Sequence, residues 1–75
     1  MQILSQAVEG QYCTVKGLHG DTRFISRITS VGLTIGAVVK VICNAKRMPV
    51  LIYTRDTILA VDKKEAAQIE VEVNS

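Results

Sequence analysis

The sequence predicts an all-β fold: a small, strongly curved barrel of about five short strands, with one inserted α-helix and a short helical turn. Three observations carry this reading. Hydrophobic residues make up 48% of the 75-residue chain but aromatics only 4%, so the core must be Val, Ile, Leu and Ala, and β-branched aliphatics suit strands. Several runs alternate in polarity, most strictly Ile69-Glu70-Val71-Glu72-Val73, which is the period of a strand with one buried face. Only one window, Thr22 to Val31, has the helical period. Strands this short, in a chain this short, must curl to enclose a core.

Residues 11–18 form the first strand, with Cys13 and Val15 on one face and Tyr12, Thr14 and Lys16 on the other, ending at Gly17. Gly10 opens this run, and Gly17-Leu18-His19-Gly20-Asp21 has the composition of a turn. Asp21 or Thr22 is placed to cap a helix. Phe24, Ile28 and Val31 fall at i, i+4 and i+7 with Ile25 beside them, while Arg23, Ser26, Arg27 and Ser30 lie off the stripe. Gly32 is placed to end the helix in the left-handed conformation, letting Leu33 fold back on the last turn. Gly36 then admits a tight turn into a strand over 37–43.

Asn44 to Met48 reads as a charged loop closed by Pro49. Val50 to Arg55 and Ile58 to Val61 read as a hairpin whose tight turn is Asp56-Thr57. Asp62 to Gln68 is a short helical turn with Asp62 as its cap. In the last strand Ile69, Val71 and Val73 face inward. No repeat, linker or low-complexity tract interrupts the chain, and residues 1–75 are expected to form a single domain.

Composition narrows the function. Cys13 and Cys43 stand in apolar runs thirty residues apart, the setting of buried thiols rather than a disulfide framework. The N-terminus lacks the basic start and apolar run of a signal peptide, and no stretch approaches the ~20 apolar residues of a membrane span. The chain therefore reads as cytosolic. Nine Lys and Arg against seven Asp and Glu leave a net charge of +2, too small to imply nucleic acid alone. The signs are segregated, however: four basic residues and no acid from Lys40 to Arg55, then five acids against two lysines.

The string Arg27-Ile28-x-x-Val31-Gly32-Leu33-x-x-Gly36 resembles the core motif of the ferrous iron transport protein A (FeoA) family. Its surround is similar as well: the Gly10 lead-in, the GLHGDTRFISRI segment, the Met48-Pro49-Val50 entry into a strand, and TILAVDKKEAAQIEV near the end. The resemblance runs from about Leu4 to Val73. It departs where the family usually has Leu at Val31, Pro at Ile35 and a Leu-Arg pair near Val61-Asp62. The resemblance implies an SH3-like barrel and an accessory or regulatory role in bacterial ferrous iron uptake. It implies protein contact with a membrane ferrous-iron permease bearing a cytoplasmic GTPase domain. The protein would then be peripheral at the inner face of the membrane, held there by its partner, with homo-oligomers open. The C-terminal domains of metal-dependent transcriptional repressors share the fold and supply an alternative, and a small RNA-binding barrel is a third.

His19 and Asp21 are the only donors spaced to share an ion in one turn. Two donors fall short of the three or four a stable site needs, so no tightly bound cofactor is expected, and at most a weak transition-metal contact. No nucleophile stands beside a base and no P-loop is present, so an enzyme is not expected. Few aromatics are available for stacking on RNA or gripping a proline-rich peptide. The candidate partner-binding face combines Arg23, Arg27, Leu33, Lys46, Arg47 and Met48, with Leu33-Thr34-Ile35 displayed near the surface by the glycine junction. Gly10, Gly32, Gly36 and Pro49 are read as structural.

Overall fold

The computed structural model describes residues 2–74. A single antiparallel sheet of six strands, in the order β1-β6-β2-β3-β4-β5, forms the framework. The strands are β1 (Gln2–Ile3), β2 (Tyr12–Leu18), β3 (Val38–Cys43), β4 (Val50–Thr54), β5 (Thr57–Val61) and β6 (Ile69–Val73). Helix α1 (Thr22–Ser30) connects β2 to β3, and α2 (Lys63–Ala66) connects β5 to β6. The sixth strand is β1. It has only two residues and no alternation, and it exists through its pairing of Gln2 with Val71 and Ile3 with Glu70.

Two bulges bend the sheet. Between Val15 and Gly17 an extra residue, Lys16, enters β2 opposite β6, and between Val41 and Cys43 Ile42 enters β3 opposite β4. Each adds local twist and lets the sheet wrap around its own inner face. That face is the core: Cys13, Val15, Val39, Val41, Val50, Ile52, Val61, Ile69 and Val71, sealed by Phe24 and Ile28 of α1 and by Leu4 and Ala66 at the end. Cys13 is buried as expected, whereas Cys43 is half-buried at the end of β3.

The glycine junction works as a helix stop. The N–H of Leu33 donates to the Ile28 carbonyl (3.1 Å) and that of Gly32 to the Thr29 carbonyl (3.0 Å), with Gly32 at φ +104°. This is the Schellman arrangement, and its usual companion is an apolar contact across the two ends of the turn. Leu33 accordingly lies in the core with Ile28. Val31 falls outside the helix and is exposed, so the apolar stripe ends at Ile28. Gly36 and Ala37 then bond to β2: the Gly36 N–H donates to Val15 O (2.8 Å), and Val15 N–H donates to Ala37 O (2.9 Å).

At the N-terminus of α1, Asp21 is the cap, its Oδ1 accepting from the Phe24 amide at 2.8 Å. Asp62 stands at the cap position of α2 but makes no side-chain bond there. The β4–β5 turn falls one residue before the expected place. Thr54 pairs with Thr57, and Arg55-Asp56 form the loop with φ of 52° and 61°. Positive φ at both positions is the type I′ geometry, which matches strand twist and outweighs the weak preference of Arg and Asp for it. No helix among the described residues is long and apolar enough to cross a membrane.

Candidate functional site

The two helices and the β3–β4 loop lie side by side. Arg27 of α1 forms an ion pair with Glu65 of α2. Lys63, on the same short helix, donates from Nζ to the Ala45 carbonyl of the loop at 2.9 Å. Helix α2 is thus a spacer between the arginines of α1 and the Lys46-Arg47-Met48 tip. Between the helices is a hollow of about 300 Å³ lined by Asp21, Arg23, Phe24, Arg27, Glu65 and Gln68. The Arg27 guanidinium lies 5.8 Å from the centre of the Phe24 ring, held by the ring on one side and Glu65 on the other. Arg27 is exposed and Glu65 partly buried, so the pair is worth about what a surface pair is, roughly 1 kcal/mol. Its main effect is to fix the direction of Arg27.

The loop is set from below. The Asn44 amide N–H donates to Glu9 Oε2 (2.8 Å), and its side-chain Nδ2 donates to the carbonyls of Ser5 (3.0 Å) and Ala7 (2.6 Å). These bonds lock the β3 exit against the segment between β1 and β2. Beyond them Met48 N–H closes a turn onto Ala45 O at 3.2 Å, with Arg47 left-handed at φ 63°. Lys46, Arg47 and Met48 project into solvent, and Pro49 leads into β4.

Of the sequence-derived contact residues, Arg23, Arg27, Lys46, Arg47 and Met48 are exposed. Leu33 is corrected: it is 0% exposed, because the helix stop folds it into the core, and it offers nothing to a partner. The junction's exposed apolar residue is Ile35, at 65%. Glu65, Gln68 and Lys63 complete the surface and were not visible in the sequence, since Glu65 is 38 residues from Arg27 and no local pattern links them.

His19 and Asp21 do not converge. Asp21 is committed to capping α1, while His19 Nε2 meets Glu70 of β6. Gly17 makes room for that pair: a Cβ there would stand 3.0 Å from Glu70 Oε1 and 3.4 Å from His19 Nε2. Among the described residues no three His, Cys, Asp or Glu side chains group to hold an ion. Burial raises the pKa of Cys13, keeping that thiol protonated.

A curled antiparallel sheet with a helix after its first long strand defines a small module of the SH3-like kind. The FeoA of Stenotrophomonas maltophilia, solved with zinc and described as a prokaryotic SH3 domain protein, has this shape: TM-score 0.79 at 21% identity, with 96% of this chain and 91% of that one covered. The chain belongs to the FeoA domain family, whose model matches residues 3–73. An iron uptake regulatory protein, also FeoA, superposes with TM-score 0.88 at 26% identity over 93% of both chains. The manganese regulator SloR has a like domain, with TM-score 0.85 at 18% identity, covering 97% of this chain but 34% of that one. No curated protein matches the sequence.

Proposed function

We propose that this protein is a non-enzymatic accessory of ferrous iron uptake, acting by contact with the cytoplasmic GTPase domain of a membrane ferrous-iron permease. Family membership supports the pathway. The observation that carries the contact role is the basic surface bridged by α2: Arg23 and Arg27 on one side, Lys46 and Arg47 on the other, and Met48 beside them. Arginine in a fixed orientation and an exposed methionine are the side chains that interfaces favour. A GTPase domain with a carboxylate-rich patch is the complementary chemistry, and its approach would be quickened by opposite charge.

Mixing the purified protein with that GTPase domain, with and without a GTP analogue, tests the reading. Binding that Arg27→Glu with Arg47→Glu abolishes supports it. Unchanged binding by the double variant moves the contact elsewhere, and no binding in either nucleotide state rejects the partner. A second reading, a domain of the metal-dependent repressor type, is favoured by the likeness to SloR. It predicts instead association with a DNA-reading domain, and the same double variant tests whether that contact uses this surface.

A further inference from the structure

The sheet has two edges, and they differ. The β1 edge is blunted, because that strand has only two residues. The β5 edge is bare: Thr57-Ile58-Leu59-Ala60-Val61 pairs with β4 alone, without a bulge, and holds no charge and no proline. A short strand, a bulge, a charge or a proline is what keeps an edge from pairing. The two-residue loop makes Thr54 and Thr57 a hydrogen-bonded pair, and bonded pairs alternate from there, so Leu59 and Val61 also bond across to β4. The N–H and C=O groups of Ile58 and Ala60 therefore point away from the sheet. Among the described residues no loop, cap or side chain bonds to these four groups. Both residues are exposed, Ile58 at 60%.

Residues 56, 58, 60 and 62 share one face by the alternation of the strand. The Tyr53 hydroxyl, on the face of Ile58, donates to Asp56 Oδ1 at 3.0 Å and fixes that carboxylate there. Asp62 follows inward-facing Val61, is exposed, and makes no cap bond. A carboxylate thus stands at each end of the bare edge, and no ion pair among the described residues uses either. The adjoining bases are turned elsewhere. Arg55 lies over Gly32, its Cδ 3.3 Å from where a Cβ would be, and Lys63 is bonded to the Ala45 carbonyl. Lys40 is on β3, two strand spacings in, against the Tyr12 ring.

We infer that the β5 edge takes up an extended segment of a partner protein as a seventh, antiparallel strand, the segment bearing a basic residue at each end and apolar residues between. Unpaired backbone calls for an extended chain, and the two carboxylates set its charge. In the register that uses all four outward groups, the third and fifth residues of the segment bond to Ala60 and Ile58. The first and seventh stand opposite Asp62 and Asp56, and the fourth covers Leu59, which is half-buried over the core. A second copy in that register, centred on Leu59, sets Asp56 of each chain against Asp62 of the other, and like charges directly opposite are unfavourable. The edge shares no residue with Arg23, Arg27 or the Lys46-Arg47-Met48 tip, so it is tested apart from the permease reading.

The test titrates a seven-residue peptide, blocked at both termini, into the isotope-labelled full chain and follows amide NMR shifts. Lysine stands at its first and seventh positions, tyrosine, valine and valine at the third to fifth, and threonine elsewhere. One twin is N-methylated at the third and fifth residues, one at the fourth, and one ends in glutamates. The expected result is saturating shifts centred on Ile58 and Ala60, whose amides become protected from hydrogen exchange. Methylation at the third and fifth residues abolishes binding, and methylation at the fourth leaves it. The glutamate-ended twin binds about tenfold or more weakly, two attractive cross-strand pairs having become repulsive. Asp56→Asn with Asp62→Asn removes that preference; the methylated twins need no variant. Binding indifferent to the methylation pattern, equal affinity for lysine and glutamate ends, no saturable shift, or shifts centred off β5 overturns the inference. So does self-association through β5 that excludes the peptide.

Discussion

Replacing Leu33 by alanine separates the two roles the glycine junction could have. The side chain is 0% exposed and belongs to the main core cluster beside Ile28. Truncating a fully buried leucine removes its transfer free energy and leaves a cavity, together about 2–5 kcal/mol. A 75-residue domain at 0.05–0.15 kcal/mol per residue has only about 4–11 kcal/mol in total. A cost of about 3 kcal/mol is thus a large share of the whole. With a midpoint shift of about 4–8 °C per kcal/mol for a domain this size, the melting temperature falls by about 12–24 °C. Ile35→Ala is the control: two residues on and 65% exposed, it should change stability by less than about 0.5 kcal/mol. Thermal unfolding followed by circular dichroism at 222 nm reads both. Equal small shifts for the two variants would mean that Leu33 is not in the core, and the helix-stop argument built on it would fail.

Other consequences are open to measurement. Gly32→Ala forces a side chain to φ +104° and sets a Cβ 3.3 Å from Arg55 Cδ; a loss of about 1–2 kcal/mol in urea unfolding is expected, and none would contradict the strain. Asp21→Ala removes the one side-chain cap of α1 and should cost about 1 kcal/mol, restored by Asp21→Asn. Ultraviolet titration should find Tyr53 ionising above its ordinary 10.0, because the hydrogen bond to Asp56 and that group's negative charge oppose the phenolate. The stability this lends is complete below pH 10 and fades as pH rises through the folded value, and Asp56→Asn brings the titration back down. An aromatic disulfide reagent should modify half-buried Cys43 before buried Cys13; the reverse order would place the thiols wrongly.

What could be read from the chain alone follows the range of each interaction. Strands β2, β3 and β6, helix α1 and the left-handed Gly32 all announce themselves within a few residues, through alternation, a helical stripe or a helix-stopping glycine. Strand β1 does not, because two residues make no pattern and its reason is Val71, sixty-nine positions beyond Gln2. The hairpin turn lies one residue before the place the sequence suggests because Arg55-Asp56 carries little local signal for a type I′ loop. At Leu33 the sequence allows both fold-back and display, and its complete burial, with its N–H bonded to the Ile28 carbonyl, decides for the first. The candidate site divides in the same way. The basic residues were legible as a charge pattern, whereas Glu65 and Lys63, which join them through α2, came together only in the folded chain. The bare β5 edge was hidden because strand order and register decide which backbone groups stay unpaired.

The proposed role is a charged contact surface offered to the GTPase domain of a ferrous-iron permease. Isothermal titration of that domain with wild-type protein and with Arg27→Glu plus Arg47→Glu addresses it most directly. Saturable binding by wild type is expected, with a loss of tenfold or more in the double variant, a difference of about 1.4 kcal/mol, while thermal stability falls only by the roughly 1 kcal/mol that the lost Arg27–Glu65 pair accounts for. Identical affinities for the two proteins, or no heat of binding for either, would contradict it.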